Sequence, residues 1–146
     1  MPLKFIALLL FLVTLGAGSG VAGDKIRAGL YLAQNEPPPF GAAVASPKLH
    51  YQLQQVFGFL HYRLLKEQDY YLHDEWQQWF IPRRDFFVRL EPLHREPGEP
   101  KLIDYEIYKD GFIVVKGTYE VHEETPLFVN GPDFRRGRLI LVIEAR

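Results

Sequence analysis

The sequence contains no cysteine. Disulfides, thiolate nucleophiles and thiolate-held metals are therefore outside its chemistry. Serine is nearly as scarce, because beyond residue 23 only Ser46 remains, where a helix cap is wanted. A serine triad thus has no free nucleophile. Thr118 and Thr125 stand beside no base in a recognisable motif. No G-x-G-x-x-G follows the first strand-like segment and no Walker pattern occurs, so no phosphate cradle is written into the chain. An excess of charge of one sign is missing too. The formal net charge is −1, which gives no field toward nucleic acid or acidic lipid, and no nucleic-acid partner is expected.

A long apolar run is also lacking. Residues 5–15, FIALLLFLVTL, are apolar apart from Thr14, but a bilayer span needs about 20 such residues. Lys4 precedes this run and the small residues GAGSGVAG follow it. A positive start, a short apolar core and a small-residue exit are the parts of a secretory signal. Residues 1–23 are therefore expected to be a cleaved leader, with the cut after Ala22 or Gly23. Without cysteine this leader cannot carry a lipoprotein anchor. The expected location is exported, periplasmic or secreted, with no stable membrane span once the leader is removed. Removing Lys4 leaves 16 basic residues against 18 acidic ones. Residues 24–146 are expected to form one small domain held by a hydrophobic core alone.

What is present points to strands. In residues 25–33, Ile26, Ala28, Leu30 and Leu32 recur with a period of two, a strand signature. Three prolines, 37–39, force an extended loop. Ser46-Pro47 offers an N-cap and a first-turn proline, Leu49, Leu53, Val56 and Phe57 make a helical stripe, and Gly58 is the stop. This is the only convincing helix beyond the leader. The segments 59–66, 69–73, 75–81, 85–93, 101–108, 112–121 and 138–145 read as strands. Pro82-Arg83-Arg84 and Asp110-Gly111 mark two hairpins. Residues 130–137 read as a loop, and the nearly continuous apolar run after it as a central strand covered on both faces. The expected fold is α+β, with one helix packed on a mostly antiparallel sheet of about six or seven strands. The strand–helix–strand start is compatible with a right-handed crossover.

Several residues carry possible chemistry. Trp76 and Trp79, within the aromatic-rich hairpin 70–87, could stack on a sugar or peptide, although opposite strand parity separates the pair. The alternative is that these rings fill a core. Arg135 and Arg136 could hold an anion, or could simply guard the end of a sticky strand. Asp104 and Glu106 share a strand face at about 7 Å, a spacing a carboxylate hydrolase could use. His73-Asp74-Glu75 and His122-Glu123-Glu124 could offer metal ligands, but the five histidines show no metal-site spacing. No cofactor, metal or catalytic residue is assigned.

Three stretches, KIRAGLYLAQN, LQQVFGFLHYRLL and PLFVNGPDFRRGRLILVIEA, together resemble small exported bacterial proteins of unassigned function. In that group the last stretch follows a GGP-x-x-x-x-G-x-LI pattern. Asn130-Gly131-Pro132, Gly137 and Leu139-Ile140 match it, with Asn130 in place of the first glycine. The resemblance implies an envelope or secreted protein and brings no catalytic residues. The first functional expectation is a non-enzymatic module that binds a protein partner, by strand addition at a sheet edge, or assists envelope assembly. The second is binding of a glycan or cell-wall polymer through residues 70–87. The third is a small carboxylate-dependent hydrolase.

Overall fold

The computed structural model describes residues 25–72, 77–93, 96 and 98–146. The expected leader, Trp76 and the segment 73–75 lie outside the described residues. The elements run β1 (Lys25–Gln34), α1 (Pro47–Phe57), β2 (His61–Tyr71), β3 (Gln78–Arg83), β4 (Phe86–Pro92), β5 (Leu102–Lys109), β6 (Phe112–Glu120), β7 (Leu127–Phe134) and β8 (Gly137–Ala145). Among the described residues, no helix is long and apolar enough to cross a membrane.

The α+β expectation of one sheet under one helix is overturned. The eight strands form two antiparallel four-stranded sheets, ordered β2-β1-β8-β7 and β3-β4-β5-β6. The physical reason lies in coverage. A helix of 11 residues can shield only part of one sheet face, and eight strands offer far more apolar surface. The second sheet supplies the missing cover. Phe80, Phe86, Val88, Leu90, Ile103 and Ile107 from its inner face meet Ile26, Ala28, Leu30, Leu139, Leu141 and Ile143 from the first. A separate core joins α1 to the outer face of the first sheet, where Leu49 and Leu53 pack near Tyr31, Ala33, Tyr62, Ile140 and Val142. Strands β1 and β8 thus lie between two apolar layers, which explains the unbroken apolar run of β8.

The helix forms for the reasons its sequence gives. The Ser46 hydroxyl accepts the Leu49 N–H at 3.3 Å. Gly58 adopts φ 78° and donates its N–H to the Gln54 carbonyl at 2.9 Å. Val56, expected on the apolar stripe, is exposed, because the buried line follows the i+4 steps Leu49, Leu53, Phe57. The crossover is also corrected. β1 and β2 pair antiparallel, so α1 sits in a connection between antiparallel neighbours and not in a parallel βαβ unit.

Two loops differ from expectation. Residues 130–134 belong to β7, and an irregularity between Asn130 and Asp133 absorbs Gly131-Pro132 within the ladder. These glycines serve close approach. A Cβ on Gly131 would lie 2.4 Å from the Leu139 carbonyl oxygen, and one on Gly137 would lie 2.2 Å from that of Ala33. The β5–β6 hairpin matches its signal, with Asp110 at φ 51° and Gly111 at φ 83° as a mirror-image turn requires. The β3–β4 turn lies at Arg84-Asp85. Pro82 falls within the edge strand β3, at its register irregularity, where a missing N–H is tolerated.

Candidate functional site

The first sheet is covered on both faces, by the second sheet and by α1. Among the described residues the second sheet is covered on one face only, so its outer face and its edges are open to a ligand. Strand alternation decides what stands there. On β4, Phe86, Val88 and Leu90 turn inward, which sends Phe87, Arg89 and Glu91 outward. The register places Trp79, Arg89, Glu106 and Lys116 in one transverse row and Phe87, Tyr108 and Ile113 in the next.

Three rings meet on this face. Phe87 and Tyr108 stack at 4.9 Å between centroids, with their planes 13° apart. Trp79 leans on both, at 5.8 Å from Phe87 and 6.0 Å from Tyr108. Trp79 keeps 42% of its surface exposed. Trp79 thus joins a cross-strand cluster with Phe87 and Tyr108, while Trp76 lies outside the described residues. The alternation of β4 and β5 was the signal that could have found Phe87 and Tyr108. Its use required the register, which the proline-bearing β3–β4 hairpin hides.

Beside the rings lies a satisfied polar network. Arg89 holds Glu106 at 2.8 Å and also bonds Glu91, while the Tyr108 hydroxyl donates to Glu106 at 2.6 Å. The Arg89 guanidinium, followed by the Tyr108 hydroxyl, holds the Glu106 carboxyl below its usual range, and the same carboxylate raises the phenol of Tyr108. A glycosidase acid needs the opposite shift. Asp104 accepts from the Thr118 hydroxyl at 2.6 Å. The network braces the sheet surface and leaves the ring cluster and β6 as its outward apolar features.

β6 ends the second sheet, and among the described residues it has no hydrogen-bonded strand on its outer side. Phe112, Ile113 and Val114 stand in sequence at 76%, 50% and 47% exposure. A register irregularity between Ile107 and Tyr108 of β5 leaves Val114 as the unmatched residue of β6, which is why adjacent apolar side chains can all reach solvent. Ile113 pairs with Tyr108, so the apolar row runs from Trp79 and Phe87 through Tyr108 to the edge. By contrast, the outer edge of β2 is partly covered, since the Leu64 N–H reaches the Ala43 carbonyl and the Ala45 N–H the Tyr62 carbonyl.

Arg135 and Arg136 are elsewhere, in the two-residue turn between β7 and β8. Arg136 meets Glu36 at 2.9 Å, with both side chains largely exposed. The Arg135 guanidinium lies 5.1 Å from the Phe134 ring, and that of Arg83 approaches the same ring at 4.0 Å. Both arginines of the pair therefore have local contacts. His122 stands 3.8 Å from Glu120, and among the described residues no three metal-binding side chains are grouped. No protein-family model, curated protein sequence or solved structure matches the chain.

Proposed function

We propose that this protein is an exported, envelope-associated interaction module that takes an extended segment of a partner protein as an added strand on β6. The observation that carries the reading is an edge strand that, among the described residues, has no partner on its outer side and carries three successive exposed apolar residues, Phe112, Ile113 and Val114. A natural edge of this kind is a template for another chain, and proteins without such a use normally blunt it. Pairing of two copies is disfavoured by Lys116, at the middle of β6. Antiparallel self-pairing about the strand centre would set Lys116 against Lys116. A partner strand with an acidic residue there and apolar residues toward Ile113 fits better. The sequence resemblance to exported bacterial proteins supports the location.

The test places a photo-crosslinker at Val114 and exposes the protein to envelope extract. Cross-links mapping to one extended segment of one partner are expected, and Phe112→Lys with Ile113→Lys is expected to abolish them without changing the melting temperature. Cross-links only between copies of the chain, or capture that survives the double variant, would overturn the reading. A second reading, glycan binding, rests on the ring cluster of Trp79, Phe87 and Tyr108. Its test is the fluorescence of the Trp79→Phe variant against the parent across a glycan panel. A glycan-induced change lost in the variant would favour it.

A further inference from the structure

α1 covers one part of the outer face of the first sheet and leaves a groove of about 470 Å³ beside it. That size lies within the range of small-ligand sites. At its floor the Tyr31 ring lies along β1 over Gly29, so close that a Cβ on that residue would stand 3.0 Å from the ring. Tyr31 is only 6% exposed, and among the described residues its hydroxyl has no hydrogen-bond partner. No fully buried polar side-chain atom is left unbonded among the described residues, so this hydroxyl is one that opens on the groove.

The charges around it are unequal. Glu67, Glu123, Glu124 and Glu144 line the groove, with Arg27, Lys48 and Arg146. Arg27 is held by Asp69 at 2.7 Å and Arg146 by Glu144 at 3.2 Å. Asp69 is shared between Arg27 and Lys25, and Glu67 also acts on Arg27 through space, whereas Lys48, Glu123 and Glu124 show no ion pair among the described residues. The register explains part of the convergence. Glu67 of β2 stands opposite Gly29, and Glu144 of β8 opposite Arg27, so both flank the strand over which the Tyr31 ring lies.

We propose that this groove binds an organic cation, an ammonium or guanidinium group that donates to the Tyr31 hydroxyl and is neutralised by Glu67, Glu123 and Glu124. Burial first, then Glu144 and Glu67, pushes the Tyr31 phenol up to about 12, so at neutral pH it stays an uncharged hydroxyl that can accept such a bond. Such a group is carried either by a free small amine or by a basic side chain of a peptide. Neither source needs the β6 edge, so the site stands or falls independently of strand addition.

Calorimetric titration of the whole protein at low salt with putrescine and with a blocked tri-lysine peptide separates the two, with acetate as the anionic control. Saturable binding of one equivalent is expected for at least one cationic probe, and none for acetate. A tri-lysine affinity more than about tenfold above that of putrescine assigns the peptide source, and comparable affinities assign the free amine. Glu67→Gln is expected to weaken binding about fivefold, the scale of a partly exposed ion pair, and Tyr31→Phe about threefold. Tyr31→Phe is also expected to leave the melting temperature unchanged, since the hydroxyl it removes has no hydrogen-bond partner among the described residues. Absence of saturable binding by both cationic probes, or affinities unaltered in both folded variants, would overturn the assignment.

Discussion

Adjacent substitutions in β8 decide between one layer of cover and two. Leu141 and Ile140 are both fully buried, yet they face opposite sides of the sheet. Leu141 lies in the core between the two sheets, with Leu30 and Val129 as its cross-strand partners. Ile140 lies in the core under α1, paired with Tyr31. Truncating a buried leucine or isoleucine to alanine costs about 2–5 kcal/mol, from lost transfer energy and the cavity left behind. For ~120 ordered residues the entropy of unfolding at the midpoint is roughly 0.25 kcal/mol/K, so ~3 kcal/mol corresponds to a fall of about 12 °C. Leu141→Ala and Ile140→Ala should each lower the melting temperature by about 8–20 °C, as read by circular dichroism or calorimetry. A single sheet with a helix on one face would make one of the two substitutions nearly silent. A shift under about 3 °C for either variant would therefore refute the stacking of two sheets with α1 outside.

Other expectations follow from the surface. Arg135→Ala with Arg136→Ala should cost less than about 1 kcal/mol in chemical denaturation, because the Arg136–Glu36 pair is exposed. A larger loss would mean that the turn arginines are buried or coupled. The Arg27 guanidinium first, then the Lys25 ammonium, lowers the Asp69 carboxyl to about 2, below its ordinary 3.8. A depressed carboxylate stabilises the folded state above the unfolded pKa, and that contribution is lost as pH falls through the folded one. The stability gap between the parent and Asp69→Asn should hold at pH 7 and close between about pH 4 and pH 2. A gap that persists at pH 2 would show that Asp69 acts by something other than its charge.

Much of the local structure is legible in short stretches. Ser46-Pro47 and Gly58 bound the helix because their effects act within a few residues, and Asp110-Gly111 makes its hairpin for the same reason. The unbroken apolar run from Leu139 is legible as a central strand, since only a strand covered twice needs apolar residues on both faces. The candidate site was less visible. Trp79 stood out as an aromatic, but its companions Phe87 and Tyr108 come from other strands, and their meeting depends on a register set partly by an irregular hairpin. Residues 130–137 read as a loop in sequence because Asn, Gly and Pro are turn formers, although 130–134 belong to β7. In the fold, Gly131 is needed for its small size against the Leu139 carbonyl.

By itself, then, the sequence determined the absence of thiol chemistry, the one capped helix, the Asp-Gly hairpin and a central last strand. These rest on residue chemistry or on neighbours close along the chain. Tertiary structure alone decided that the strands divide into two sheets, that Trp79 joins Phe87 and Tyr108, that β6 stands at a sheet edge, and that Tyr31 lies beneath a groove flanked by Glu67 and Glu144. Alternation says which side of a strand must be covered, but not which distant surface covers it. That choice comes from how apolar faces far apart in sequence can all be shielded at once.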